Sequence, residues 1–166
     1  MHSNAELLEI LVRGSAPERG EAVYELGNRQ AMEAVPNLLP LLEDDAMAPA
    51  ASRALAQIGI PALEPLRSIL KSGKNDLKRW AVITLGDMGA AAWPAIPDLL
   101  KVFSTDSLSM REVAADATVQ ICIEQTDPNN IWCEDLTEEE LVNVLKHVPE
   151  IPIDLVPQIA AITTWA

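Results

Sequence analysis

Two cysteines, two histidines and one stretch of clustered acids are the residues in this chain whose types suggest chemistry. Cys122 and Cys133 have a spacing that fits no common zinc pattern, and no nearby histidine would make either a thiolate nucleophile. Cys122 reads as a small buried residue in a turn, and Cys133, next to Trp132, as a loop residue. His147 falls near the end of an expected helix, where a cation suits the negative pole. Between Asp127 and Glu138, Asp127, Asn129, Asp135 and Glu138 occupy four positions of a calcium loop. Ile131 replaces an oxygen ligand there and Trp132 the turn glycine, so a capped loop between helices is the better reading. No glycine-rich phosphate loop and no nucleophile elbow is present. The sequence therefore predicts no enzyme activity, no cofactor and no metal.

The elements that would position side chains repeat. Four segments, beginning at Ala22, Ala51, Ala81 and Ala114, share one register at spacings of 29, 30 and 33 residues. In the third, Leu77, Ala81, Thr84, Leu85 and Met88 recur at helical spacing and form one apolar stripe. A proline-marked second helix follows each of the first three copies, at Val35-Pro36, Glu64-Pro65 and Ile96-Pro97, because proline suits a first helical turn. The expected helices are 4–13, 17–29, 34–43, 47–58, 62–72, 75–88, 94–104, 108–124, 137–147 and 152–164. No strand is expected. Helix pairs about thirty residues apart bury their apolar faces only by stacking.

Composition agrees with packed helices. Hydrophobic residues make up 49% and aromatics 4%, so the core must be Leu, Ile, Val and Ala. The net charge of −13 argues against binding duplex nucleic acid, which needs cations. No run of apolar residues is long enough for a membrane span, and Met1–Leu11 lacks the basic start of a signal peptide. A soluble cytoplasmic protein follows as the expectation.

Over roughly residues 17–125 the chain resembles HEAT repeats, in particular the short bacterial type of the phycobilin lyases, and its C-terminal third fits the pattern poorly. That pattern has a basic residue, then Ala-Ala, then Ala-Leu-Gly and a final glycine before the next proline. Lys78, Ala81, Leu85-Gly86 and Gly89 match it, as do Arg19, Ala22 and Leu26-Gly27, and Arg111 with Ala114-Ala115. The resemblance implies an all-α, right-handed αα-superhelix of about five helix pairs. As one domain, 1–166, it has repeats at about 1–33, 34–60, 61–92 and 93–125 and a divergent acidic cap over 126–166. Gln30 and Cys122 stand where the pattern has its final glycine, so those turns are expected to differ, and the third copy has two extra residues before Pro97. Two enzymatic branches of related folds are disfavoured. The iron-binding deoxyhypusine hydroxylases use His-Glu dipeptides, whereas His2 and His147 precede Ser3 and Val148. A repeat-built glycosylase needs a cationic, aromatic cleft.

Function is then expected on a surface. With Ala81 at the centre of the buried stripe, 100° per residue turns Arg79, Ile83 and Asp87 outward. The register carries Ile83 to Tyr24, Arg53 and Asp116, carries Asp87 to Asn28, Gln57 and Gln120, and carries Arg79 to Gly20, Pro49 and Glu112. Tyr and Arg are common interface anchors. The resemblance implies that these rows lie on the concave side and bind another protein, and the charge and hydropathy above leave no role for nucleic acid or membrane. A solvated helix face is the plain alternative. The reading is thus a non-enzymatic scaffold or adaptor, with a lyase-type accessory to a chromophore protein and an acidic, immunity-like inhibitor of a basic protein as alternatives. A second candidate patch is the basic group Arg67, Lys71, Lys74, Lys78 and Arg79, either solvated helix ends or a dock for an acidic partner.

Overall fold

Short polar signals start the helices. Ser3 caps α1 (Asn4–Arg13): its hydroxyl accepts from the Glu6 amide at 3.2 Å, and the Ser3 amide donates back to the Glu6 carboxylate at 2.7 Å. Ser15 and Glu18 repeat this box at the start of α2 (Ala16–Asn28), with Pro17 in the first turn. The serine bonds hold both carboxyls below the usual glutamate range: the Ser3 amide acts first on Glu6, the Ser15 hydroxyl first on Glu18.

The computed structural model describes residues 2–72 and 74–126. Among them the architecture is all-α, with no strand. After α2 come α3 (Val35–Leu38), α4 (Ala48–Ile58), α5 (Ile60–Ser72), α6 (Asn75–Asp87), α7 (Ile96–Thr105) and α8 (Leu108–Thr126). The helices expected at 137–147 and 152–164, the acidic cap, the loop at Asp127, Cys133 and His147 lie outside the described residues.

The alanine-rich helices form a row: α2 packs on α4, α4 on α6 and α6 on α8. The other elements lie against this row. The stretch after α3 packs on α4, α5 on α6 and α7 on α8, while α5 and α7 touch each other. Ala22, Ala51, Ala81 and Ala114 are all buried, because methyl-sized side chains let neighbouring helices approach. Leu26, Leu55 and Leu85 fill the core between them.

The turns between layers share a positive φ. Gln30, Gly59 and Gly89 have φ of 51°, 75° and 55°, at the spacing of the repeat. Gln30 therefore keeps the positive φ without the glycine that usually adopts it. Cys122, at the fourth equivalent position, does not turn; it is buried inside α8, which runs on to Thr126. The expectation of a turn there is corrected.

The second helices differ from one another more than the prolines suggest. The segment 34–43 is not one helix. With Pro36 and Pro40 both lacking an amide, it breaks into the four-residue α3 flanked by 3-10 turns at Met32–Ala34 and Leu39–Glu43. Pro65 does not start α5 but sits inside it, since helix resumes directly after Gly59 with Pro61 in the first turn. The two extra residues of the third copy are taken up by a seven-residue 3-10 stretch, Gly89–Ala95, so α7 begins at Ile96 rather than 94.

Candidate functional site

A helix whose buried stripe is centred on one alanine must present the opposite side. On α2 this places Tyr24 and Asn28 outward, on α4 Arg53 and Gln57, on α6 Arg79 and Asp87, and on α8 Glu112, Asp116 and Gln120; all nine are exposed. Tyr24 retains 59% of its surface. Ile83 is only half-buried, so its apolar surface is partly covered by neighbours. Between α4 and α6, Arg53 and Asp87 are close enough for the arginine charge to act on the carboxyl.

Several of these side chains also tie the helices together. A Cβ on Gly27 would come within 2.5 Å of the Gln57 Oε1 and 2.9 Å of the Ala54 Cα. A Cβ on Gly86 would meet Gln120 Oε1 at 3.4 Å and the Ala117 Cα at 3.1 Å. The same glutamine position thus lies over the same glycine position in two different helix pairs. Arg79 donates to the Ser109 hydroxyl at 3.1 Å, across to the start of α8.

Two exposed acids of the face, Asp87 and Asp116, are shifted by the protein around them. Burial by surrounding protein raises the Asp87 carboxyl above its usual range, and the charge of Arg53 partly offsets this. Burial also raises Asp116, and Glu112 adds like-charge repulsion. Both carboxylates reach solvent, yet the protein around them removes part of their hydration.

Three of the five residues of the basic group, Arg67, Lys71 and Lys78, face acids. Arg67 donates to Asp98 at 2.7 Å and to Glu64 at 2.6 Å, and Lys71 lies 3.7 Å from Asp98. The Asp98 bond is the main reason the Arg67 guanidinium is held above its usual value. Lys78 meets Asp106 at 3.1 Å. Asp98 follows Arg67 by 31 residues and Asp106 follows Lys78 by 28, close to one repeat. A cleft of about 170 Å³ is bordered by Lys71, Lys78, Lys101, Asp98 and Asp106, of which Lys71 faces Asp98 and Lys78 faces Asp106.

Among the described residues no three His, Cys, Asp or Glu side chains converge, and His2 lies 3.7 Å from Glu6 as part of the first helix. No described helix is long and apolar enough to cross a membrane. No family model matches this chain, and no curated protein matches it. The outward face of α2, α4, α6 and α8 is accordingly assigned from geometry and charge alone.

Proposed function

We propose that this chain is a non-enzymatic protein-binding scaffold, built as a HEAT-like right-handed superhelix and working in the cytoplasm. The observation that carries the reading is the outward face of the row, with Tyr24 exposed and with Asp87 and Asp116 partly stripped of water although they reach it. Accessible groups surrounded by protein fit a concave surface, and removing their remaining water on binding costs less than for fully hydrated acids.

The superhelix is supported by the span of its side-chain bonds. Asn4–Glu33, Arg79–Ser109, Arg67–Asp98 and Ser52–Thr84 join residues 29, 30, 31 and 32 apart. Bonds one repeat long are what nearest-neighbour stacking produces, whereas a globule with one centre would mix many separations. On this reading the repeats run over 1–33, 34–60, 61–92 and 93–125, with 126–166 as the cap.

The test is capture of partners from the source organism with the intact chain, then the same capture with Tyr24, Arg53 and Ile83 all changed to Ala. Loss of a partner with an unchanged melting temperature supports the face. Equal capture by both proteins places binding elsewhere, and turnover of a captured small molecule would overturn the scaffold.

A further inference from the structure

The cleft between α5, α6 and α7 has walls of two kinds. Leu70 and Val102, both buried, form its apolar side, and three lysines, Lys71, Lys78 and Lys101, line the rest with Asp98 and Asp106. Its volume of about 170 Å³ is several times the roughly 30 Å³ that one water takes.

Both acids of the cleft are already answered. Asp98 accepts from Arg67 at 2.7 Å and Asp106 accepts from Lys78 at 3.1 Å, with all four side chains mostly covered. Two lysines are left over. Lys71 stands 3.7 Å from Asp98, beyond hydrogen-bond reach, and Asp98 keeps its arginine without it. Lys101 is exposed and has no acid partner among the described residues. Lys74 also lacks one, but it does not border the cleft. Around this concavity four cations, Arg67 and the three lysines, meet three acids, counting the exposed Glu64 that also holds Arg67. The local balance is positive in a chain that carries −13.

We propose that the cleft binds a small phosphate monoester with a short apolar group. Its oxygens lie between Lys71 on α5 and Lys101 on α7, and its apolar part rests on Leu70 and Val102. The site is separate from the outward face and does not depend on the scaffold reading. A phosphate monoester carries a charge of about −1.5 to −2 at neutral pH, which matches two spare ammonium groups, whereas a carboxylate answers only one. Lysine suits such a site because its flexible stem lets the ammonium turn from Asp98 to a ligand. The Thr105 hydroxyl spends its proton on the Lys101 carbonyl at 2.8 Å, so recognition of the anion rests on the lysines. A bound anion ties α5 to α7, the second helices of neighbouring repeats.

The experiment follows backbone amide resonances of the isotope-labelled full chain at neutral pH and constant ionic strength. Inorganic phosphate, butyl phosphate and butyrate are added in separate titrations. The proposal expects saturable shifts at Leu70, Lys71, Lys101 and Val102 with both phosphates, tighter binding of butyl phosphate, and weaker binding of butyrate. Lys101→Met should weaken butyl phosphate binding about tenfold, as for the loss of one charge-assisted bond, with an unchanged melting temperature. Lys101→Arg should keep most of the affinity. Shifts that never saturate, or that reach Lys74 and Arg53 equally, mean an adventitious ion only and overturn the proposal. Unchanged affinity in Lys101→Met overturns it as well. Butyrate binding as tightly as butyl phosphate overturns the phosphate class, and butyl phosphate binding no tighter than inorganic phosphate overturns the apolar contact.

Discussion

The hydroxyls of Ser52 and Thr84 meet at 2.8 Å between α4 and α6, both side chains fully enclosed. Thr84 gives its single hydroxyl proton to the Trp80 carbonyl at 2.7 Å, so Ser52 is the donor between the two. Thr84→Val then leaves a buried hydroxyl without its acceptor and should cost about 1–3 kcal/mol. Ser52→Ala leaves Thr84 bonded to Trp80 and should cost less, about 0.5–1.5 kcal/mol. The double variant should lose less than the two together. Denaturant melts of the four proteins measure this cycle, and strict additivity would mean the pair is not coupled.

Two glycines in the alanine-rich helices should respond in opposite ways to the same change. Gly20 has open space around it, so Gly20→Ala should stabilise by about 0.5–1 kcal/mol through helix propensity alone. Gly86 faces the Ala117 backbone, and a methyl there would come within 3.1 Å of the Ala117 Cα. Gly86→Ala should destabilise, since forcing helices apart costs about 1–3 kcal/mol against a propensity gain of about 1. Thermal unfolding of both variants settles the sign.

The turn positions give a third contrast. Gln30 holds φ at 51°, a state costing a side-chain-bearing residue about 1–2 kcal/mol. Gln30→Gly should stabilise by about 0.5–1 kcal/mol after the extra flexibility of the unfolded glycine is counted. Gly59, at φ 75° and ψ −130°, lies where side chains are strained. Gly59→Ala should cost about 1–3 kcal/mol, although no atom blocks the new methyl. Equal responses at the two turns would refute this account.

Asp116 links the face to pH. Its folded carboxyl is raised by burial and by Glu112, so ionising it weakens the native state. The folded protein takes up the proton before the unfolded chain does as pH falls. The penalty is therefore complete above the raised folded value, and it fades as pH drops toward the ordinary aspartate value of about 3.9. Asp116→Asn should melt about 1–3 °C above the parent at neutral pH and level with it below that value. The capping-box acids Glu6 and Glu18 work in reverse, losing stability as pH falls, and they are common to both proteins. A variant that is less stable at neutral pH would show that the carboxylate is favourably placed.

What was legible in the chain was periodic. The helices at 4–13, 48–58, 60–72, 75–87 and 108–126 appear within a few residues of where apolar spacing placed them. The outward register of Tyr24, Arg53, Asp87 and Asp116 follows from the same angle counting, because a helix has one rotation per residue and its buried stripe fixes the rest. The ruptured segment around Pro36 and Pro40 was less legible, since two prolines one turn apart permit either a kinked helix or 3-10 turns.

The sequence by itself determined that the chain is helical, which alanines must be buried, and which sides of α2, α4, α6 and α8 are left over. These depend on neighbours three and four residues away. Only the tertiary structure decided that Lys78 answers Asp106, that Gln57 lies over Gly27, and that Ile83 is half-covered. It also decided that Glu112 and Asp116 remain without cations among the described residues. Those relationships depend on how closely one helix sits on the next and on which charges that distance joins, and side-chain periodicity within one helix carries no record of either.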